Sequence, residues 1–188
     1  MNLKRIPNYL TYLRIVAIPA LIVVFYLPGE WSYLLSAGIF LVAGVTDWLD
    51  GYVARVLEAQ SNIGRFLDPI ADKLLVATAL MLLTGETRPG YADGQAMMIP
   101  AIAIVCREIL VSGLREFLAE IRVSIPVSRL AKWKTGAQMV AIFLLLLGGG
   151  GPDWLHAGTT GNILLWMAAG LTLITGYAYL RTGLKHMA

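Results

Sequence analysis

Six apolar stretches separated by short polar breaks occupy most of this sequence, and they decide which solvent the chain can fold in. They run roughly over residues 9–27, 31–57, 67–83, 96–118, 130–147 and 163–180. A helix that crosses a bilayer needs about 20 mostly apolar residues, and each stretch meets or approaches that length. The breaks at 28–30, 85–94 and 148–162 are rich in glycine and proline and are turn-forming in composition. Charged residues make up only 14% of the chain, against roughly 25% in soluble domains, so the polar surface that water demands is missing. The expected fold is therefore all-α: a polytopic bundle of six transmembrane helices forming a single domain over 1–188. The charged, apolar N-terminus has some features of a signal peptide. Its apolar run is long, however, and further spans follow it, so it reads as a retained first helix behind a short interfacial segment, Met1 to Pro7.

Charge placement predicts the orientation. An even number of spans puts both termini on one side, and that side collects Lys4, Arg5, Arg55, Arg65, Arg115, Arg122, Arg129, Lys132, Lys134, Arg181 and Lys185. The opposite loops carry Arg88 with Glu30, Glu86, Asp93 and Asp153. By the positive-inside rule both termini face the cytoplasm. The net charge of +3 follows this topology and gives no reason to expect a nucleic-acid partner. The single cysteine, Cys106, excludes an internal disulfide or a thiolate cluster, and its apolar setting predicts a buried bystander. Gly148–Gly151 lack the flanking lysine and strand of a nucleotide loop and read as a flexible turn.

The chemistry concentrates at the cytoplasmic end of the second stretch and in the third. Asp47 and Asp50 stand three residues apart, and Asp68 and Asp72 four apart, so on helices each pair shares one face. The connection between them is short and contains Gly64, which predicts that the two helices are antiparallel neighbours and that the pairs converge. Carboxylates this close repel unless a cation intervenes, and their oxygens favour hard divalent ions. Magnesium keeps part of its shell for water or phosphate, so a phosphate-bearing substrate is the natural partner. Gly51 leaves room for a ligand near the backbone, Arg55 is placed to hold a phosphate, and Ser61 offers a hydroxyl. The plainer alternatives are that Asp68 caps a helix ahead of Pro69, and that the acids form structural pairs, Asp47 or Asp50 with Arg55 and Asp72 with Lys73.

From Asp47 to Asp72 the sequence reads D-x2-D-G-x2-A-R-x8-G-x3-D-x3-D. This matches every fixed position of the signature of the CDP-alcohol phosphotransferase family, which the chain also resembles in its six-span layout. The resemblance implies two metal ions, Mg²⁺ or Mn²⁺, bridged among Asp47, Asp50, Asp68 and Asp72. It further implies Asp72 as the general base for the acceptor hydroxyl, and Gly51, Arg55, Ser61 and Gly64 around the CDP moiety. A homodimer in a bacterial cytoplasmic (inner) membrane, with the site open to the cytoplasm, is implied as well.

Two further regions are basic and cytoplasmic: Cys106 to Phe117, and Lys132 to Met139. Arg107, Arg115, Lys132 and Lys134 can together bind a phosphomonoester. The alternative is ordinary positive-inside anchoring, with Arg107–Glu108 or Arg115–Glu116 as local pairs. The wording R-E-x3-S-G-L-R-E-F and K-x-K-T-x2-Q-M, with the opening from Ile6 to Arg14, is similar to that of the bacterial phosphatidylglycerophosphate synthases within that family. On this resemblance CDP-diacylglycerol and sn-glycerol 3-phosphate are the substrates, and Asn8 and Thr11 help border the nucleotide-lipid pocket. Cardiolipin synthase, accepting phosphatidylglycerol, is the nearest alternative. A divalent-cation transporter is the alternative from another class, but it should spread acids along the bundle, whereas these gather near one face. His156 and His186 lie away from the aspartates. Trp31, Trp154 and Trp166 suit an interfacial belt, and Gly136, Ala137, Gly170 and Ala178 suit close helix packing.

Overall fold

The computed structural model of the chain describes residues 6–57, 62–86, 91–123 and 129–184, with the side chains of 6–9, 48, 50–57, 62, 63, 65, 66, 129 and 132 left aside. The described residues form six long helices: α1 (Ile6–Phe25), α2 (Trp31–Leu57), α3 (Asn62–Thr84), α4 (Gly94–Glu120), α5 (Arg129–Leu147) and α6 (Ala157–Leu184). Two single 3₁₀ turns lie between α5 and α6, and no strand occurs among the described residues. Every apolar stretch read from the sequence is a helix.

Three segments are long and apolar enough to cross a membrane: Gly94–Glu120, Trp133–Gly150 and Asp153–Leu184. Two shorter apolar helical segments, Leu10–Phe25 and Trp31–Asp47, accompany them. α3 meets neither description, because Asp68, Asp72 and Lys73 interrupt its first half. The outer surface is that of a protein in lipid. Val16, Met81, Ile99, Ile109 and Ile174 are all more than half exposed, and water would not tolerate a continuous apolar exterior of this kind.

The helices close into a ring in the order α1, α2, α5, α6, α4, α3, with α3 and α5 also touching across the middle. α1 packs against both α2 and α3, whereas contact between α2 and α3 is slight among the described residues. Among the described residues both aspartate-bearing helices thus pack mainly on α1, and the link that joins them, 58–61, lies outside the described residues. Inside the ring Leu21, Phe25, Phe40, Leu75, Leu83, Ile104, Ile142, Leu145 and Leu165 form one buried core.

Where the chain turns, local chemistry is legible. Gly29 holds a left-handed φ of +97° between α1 and α2, and Ser32 Oγ donates to its carbonyl at 2.9 Å. Asp93 caps α4 by accepting from the Gln95 N–H at 3.0 Å. The glycine run after α5 is packed instead of serving as a loose turn. Gly148–Gly150 form a 3₁₀ turn, and a Cβ on Gly148 would lie 3.0 Å from the Tyr33 ring. Cys106, expected to be buried, is exposed on α4.

Of the small residues the sequence suggested for close packing, Ala137 does pack against the core, but the other three do not mark tight approaches. A Cβ added to Gly136 or Gly170 meets nothing within 4 Å, and Ala178 is exposed. Three tight positions, Gly161, Gly176 and Gly183, fall on α6, and Gly44 of α2 is close against Met139 of α5. At Gly161 a Cβ would lie 3.0 Å from the Leu145 backbone nitrogen and 3.1 Å from the Ala141 carbonyl oxygen, neither of which can rotate away. We expect Gly161→Ala to destabilise the bundle by about 1–3 kcal/mol through overpacking, with Gly170→Ala close to neutral. Thermal melts of the two variants in detergent test this, and equal melting temperatures would contradict the packing assigned to α6.

Candidate active site

The four aspartates lie where α2 and α3 carry their polar ends. Thr46 Oγ1 donates to the Val42 carbonyl at 2.5 Å, which keeps the hydroxyl inside the helix next to Asp47. Asp47 pairs with Arg14 of α1, Oδ1 lying 2.7 Å from Nη1. The Arg14 side chain is fully buried while that of Asp47 is 45% exposed, so the cation is fixed inside the bundle and the carboxylate faces outward. One turn earlier on α1, Thr11 donates from Oγ1 to Asp68 Oδ1 at 2.5 Å. α1 thus holds one carboxylate from each aspartate-bearing helix.

Of the expected local pairs, those with Arg55 lie outside the described side chains, and the described partners of Asp47 and Lys73 are different groups. Asp47 is partnered from another helix, and the Lys73 ammonium donates to the Pro69 carbonyl at 2.8 Å. α3 begins at Asn62, so Asp68 and Pro69 lie inside it and Asp68 does not cap that helix. The proline removes a backbone N–H from the helix interior. A membrane helix tolerates this where side chains and neighbouring helices satisfy the freed groups. Asp47 lies within electrostatic reach of both Asp68 and Asp72. Among the described residues, no three His, Cys, Asp or Glu side chains stand close enough to form a metal-ligand group by themselves. The side chain of Asp50, the fourth carboxylate, is outside the described residues, as are those of Asn8, Gly51, Arg55 and Lys132 and the whole of Ser61. Gly64 is buried in the first turn of α3. In chemical kind the set suits a hard divalent cation, being carboxylate oxygens from two helices that act on one another at close range.

Asp72 also opens onto a cavity of about 950 Å³ between α3, α4, α5 and α6. Arg107, Arg115 and Lys134 all line it, together with Lys73, so three of the four predicted phosphate-binding cations share one space with Asp72. Arg107 is held from several sides. Its Nη2 donates to Thr175 Oγ1 at 3.2 Å, its guanidinium sits 5.9 Å from the centre of the Tyr179 ring, and its stem fits against Gly176. Only a glycine permits that approach, because a Cβ on residue 176 would come within 2.9 Å of Arg107 Cγ.

Glu108 is the residue that sequence reasoning undervalued. It accepts from Arg107 Nη1 at 3.2 Å, as the local-pair alternative anticipated, and it also binds Lys134 Nζ across from α5. Lys134 is only 3% exposed and so does not anchor the chain in water; Glu108 supplies the charge that its burial requires. A carboxylate immediately after an arginine at membrane depth was the available signal. Arg14 was marked in the same way, as a charge within an apolar stretch.

A sequence model of CDP-alcohol phosphatidyltransferases matches residues 4–174. The chain belongs to that family. A CDP-diacylglycerol–glycerol-3-phosphate 3-phosphatidyltransferase of Rickettsia bellii is 45% identical to it over 97% of each chain. A protein of the same name from Pseudomonas fluorescens is 44% identical over 97% of this chain and 91% of its own length. A cardiolipin synthase (CMP-forming) of Oryza sativa is 42% identical over 96% of this chain and 57% of its own length. This member of the CDP-alcohol phosphatidyltransferase family is thus a membrane enzyme whose relatedness extends over nearly the whole chain.

Removing Glu108 would leave the buried Lys134 ammonium unpaired. Breaking such a pair from one side costs about 3 kcal/mol or more, so Glu108→Ala should melt well below the parent protein. The double variant Glu108→Ala/Lys134→Met should recover most of the loss. Thermal denaturation of the three proteins in detergent decides it, and an unchanged melt for Glu108→Ala would show that Lys134 does not depend on this partner.

Proposed function

We propose that this chain transfers the phosphatidyl group of CDP-diacylglycerol to sn-glycerol 3-phosphate, releasing CMP and forming phosphatidylglycerophosphate. The observation that carries the reading is that Asp72 shares one cavity with Arg107, Arg115 and Lys134. A general base there lies beside cations suited to a phosphomonoester. Relatives carrying that activity in their names support the choice of acceptor.

In this reading Arg107, Arg115, Lys132 and Lys134 hold the acceptor phosphate and turn its free hydroxyl toward Asp72. Asp72 takes the hydroxyl proton as the oxygen forms a bond to the phosphorus on the lipid side of the pyrophosphate. The bond from that phosphorus to the bridging oxygen breaks, and CMP departs with the electron pair. The transfer is direct and forms no covalent intermediate with the protein. Asn8, Thr11, Gly51, Arg55, Ser61 and Gly64 border the CDP-lipid. Asp47, Asp50, Asp68 and Asp72 hold two divalent ions, Mg²⁺ or Mn²⁺. Bound there, such ions neutralise the pyrophosphate and the departing CMP. Arg14 and Thr11 keep Asp47 and Asp68 in position for that duty.

The reading extends to a chain with six spans, both termini and the site on the cytoplasmic side of a bacterial inner membrane, working as a homodimer. The concentration of basic residues at that end supports the orientation. Cardiolipin synthesis is the second reading, favoured by the plant relative of that name. The buried, cation-lined setting of Arg107 and Lys134 suits a compact phosphomonoester better than a whole second phospholipid.

CMP release by the purified chain in detergent, with CDP-diacylglycerol and Mg²⁺ or Mn²⁺, tests the assignment against glycerol 3-phosphate, phosphatidylglycerol, serine and inositol phosphate. We expect release with glycerol 3-phosphate, its loss on chelation with EDTA, and a fall of about 10²–10⁴-fold in Asp72→Asn. Arg115→Met should raise KM for glycerol 3-phosphate and leave KM for CDP-diacylglycerol largely unchanged. Release with phosphatidylglycerol instead would establish the second reading. Metal binding without any release would move a cation-transport function to the front.

A further inference from the structure

Gln138 has no part in the chemistry described so far, yet its setting is unusual for an amide in a membrane helix. It lies on α5, 3% exposed, with Oε1 enclosed and without a hydrogen-bond partner among the described residues. Leaving such a group buried and unpaired is destabilising. Polar side chains that serve only to hold membrane helices together do so by bonding across the interface; Gln138 makes no such bond through Oε1.

Its surroundings indicate what it is for. Gln138 lines a second, smaller cavity of about 160 Å³ between α3, α4 and α5. This cavity shares Asp72, Lys73, Glu108, Lys134 and Thr135 with the large one. Beyond that shared wall its lining is mostly apolar, with Val76, Val105 and Met139 among the residues. Gln138 follows Lys134 by four residues, which places the two on one face of α5, about 6 Å apart along its axis. Because Asp72, Lys134 and Gln138 line this one small cavity, an acceptor that spans from Lys134 to Asp72 can present a hydroxyl on its intervening carbon to Gln138. A hydroxyl both donates and accepts, so it satisfies either atom of the amide.

We propose that Gln138 is a specificity-determining residue whose amide hydrogen-bonds the second, non-reacting hydroxyl of the acceptor, selecting a small polyol phosphate over alcohols that lack this hydroxyl. The inference rests on the acceptor assigned above and deepens it. Discrimination arises because an acceptor without the hydroxyl fills the same space and leaves the buried amide unpaired.

The test compares sn-glycerol 3-phosphate with 3-hydroxypropyl phosphate, which keeps the phosphate and the reacting hydroxyl but lacks the middle one. The full chain in detergent with CDP-diacylglycerol should prefer glycerol 3-phosphate about tenfold or more in kcat/KM. Gln138→Met, similar in length and without the amide, should lower kcat/KM for glycerol 3-phosphate and shrink the preference to within a few-fold. KM for CDP-diacylglycerol should hold. If Gln138→Met does not fold, Gln138→Asn keeps the amide, shortens its reach, and should weaken the preference in the same direction. A folded variant with the parent's full preference overturns the role of Gln138 alone, as does a parent protein that uses both acceptors equally well. Failure of the parent to release CMP with either acceptor overturns the acceptor assignment itself.

Discussion

The ion pair between Arg14 and Asp47 organises the polar end of this bundle. A fully buried guanidinium in an apolar helix is tolerable only beside a fixed anion, because removing an ion from water costs several kcal/mol even after the protein relaxes. Asp47 meets that need from α2 at 2.7 Å. The same arrangement serves the carboxylates. Asp47, acting electrostatically on Asp68 and Asp72, gains a resident cation that lowers the repulsion within the group. Thr11 adds a hydrogen bond to Asp68. α1 is therefore more than the first helix: it carries the groups that hold Asp47 of α2 and Asp68 of α3.

A second charge-balanced unit stands across the cavity and follows the same rule. Glu108 lies between Arg107 and Lys134, one cation from its own helix and one from α5. Both cations face the cavity that Asp72 also lines. Backbone approach makes this possible. Gly176 admits the Arg107 stem, Gly161 brings α6 onto α5, and Gly183 receives Leu114 of α4. The glycines of α6 thereby set how far apart the cations of α4 and α5 stand, although none of them touches the chemistry.

Much of this was legible in the sequence, for identifiable reasons. Apolar runs of span length fix helices almost by solvent alone, and all six appear. Acids at three- and four-residue spacing announce a shared face, and the cations Arg107, Arg115 and Lys134 do gather at Asp72. The neighbour relations between helices were not legible. Periodicity says which face of a helix is apolar but not which helix covers it, and the shared packing of α2 and α3 on α1 was not to be read from the short link after Asp50. Small residues misled for the same reason. Gly136 and Gly170 look as permissive as Gly161 and Gly176, and only the fold shows which of them face a neighbouring helix. The alternative that Asp68 caps a helix ahead of Pro69 fails, because α3 already runs a turn and a half before it.

The ring order places the two charged units on opposite sides of α3. Through Arg14 and Thr11, α1 reaches Asp47 and Asp68, while α4, α5 and α6 supply the cation-lined cavity. Only α3 belongs to both, through Asp68 on one side and Asp72 on the other. Two anionic substrates bound at a single cluster of cations would compete for it. Divided between two separately balanced clusters, they can occupy the site together and meet where those clusters share a wall. Asp72 stands at that wall, a position suited to taking a proton from one substrate as it attacks the other.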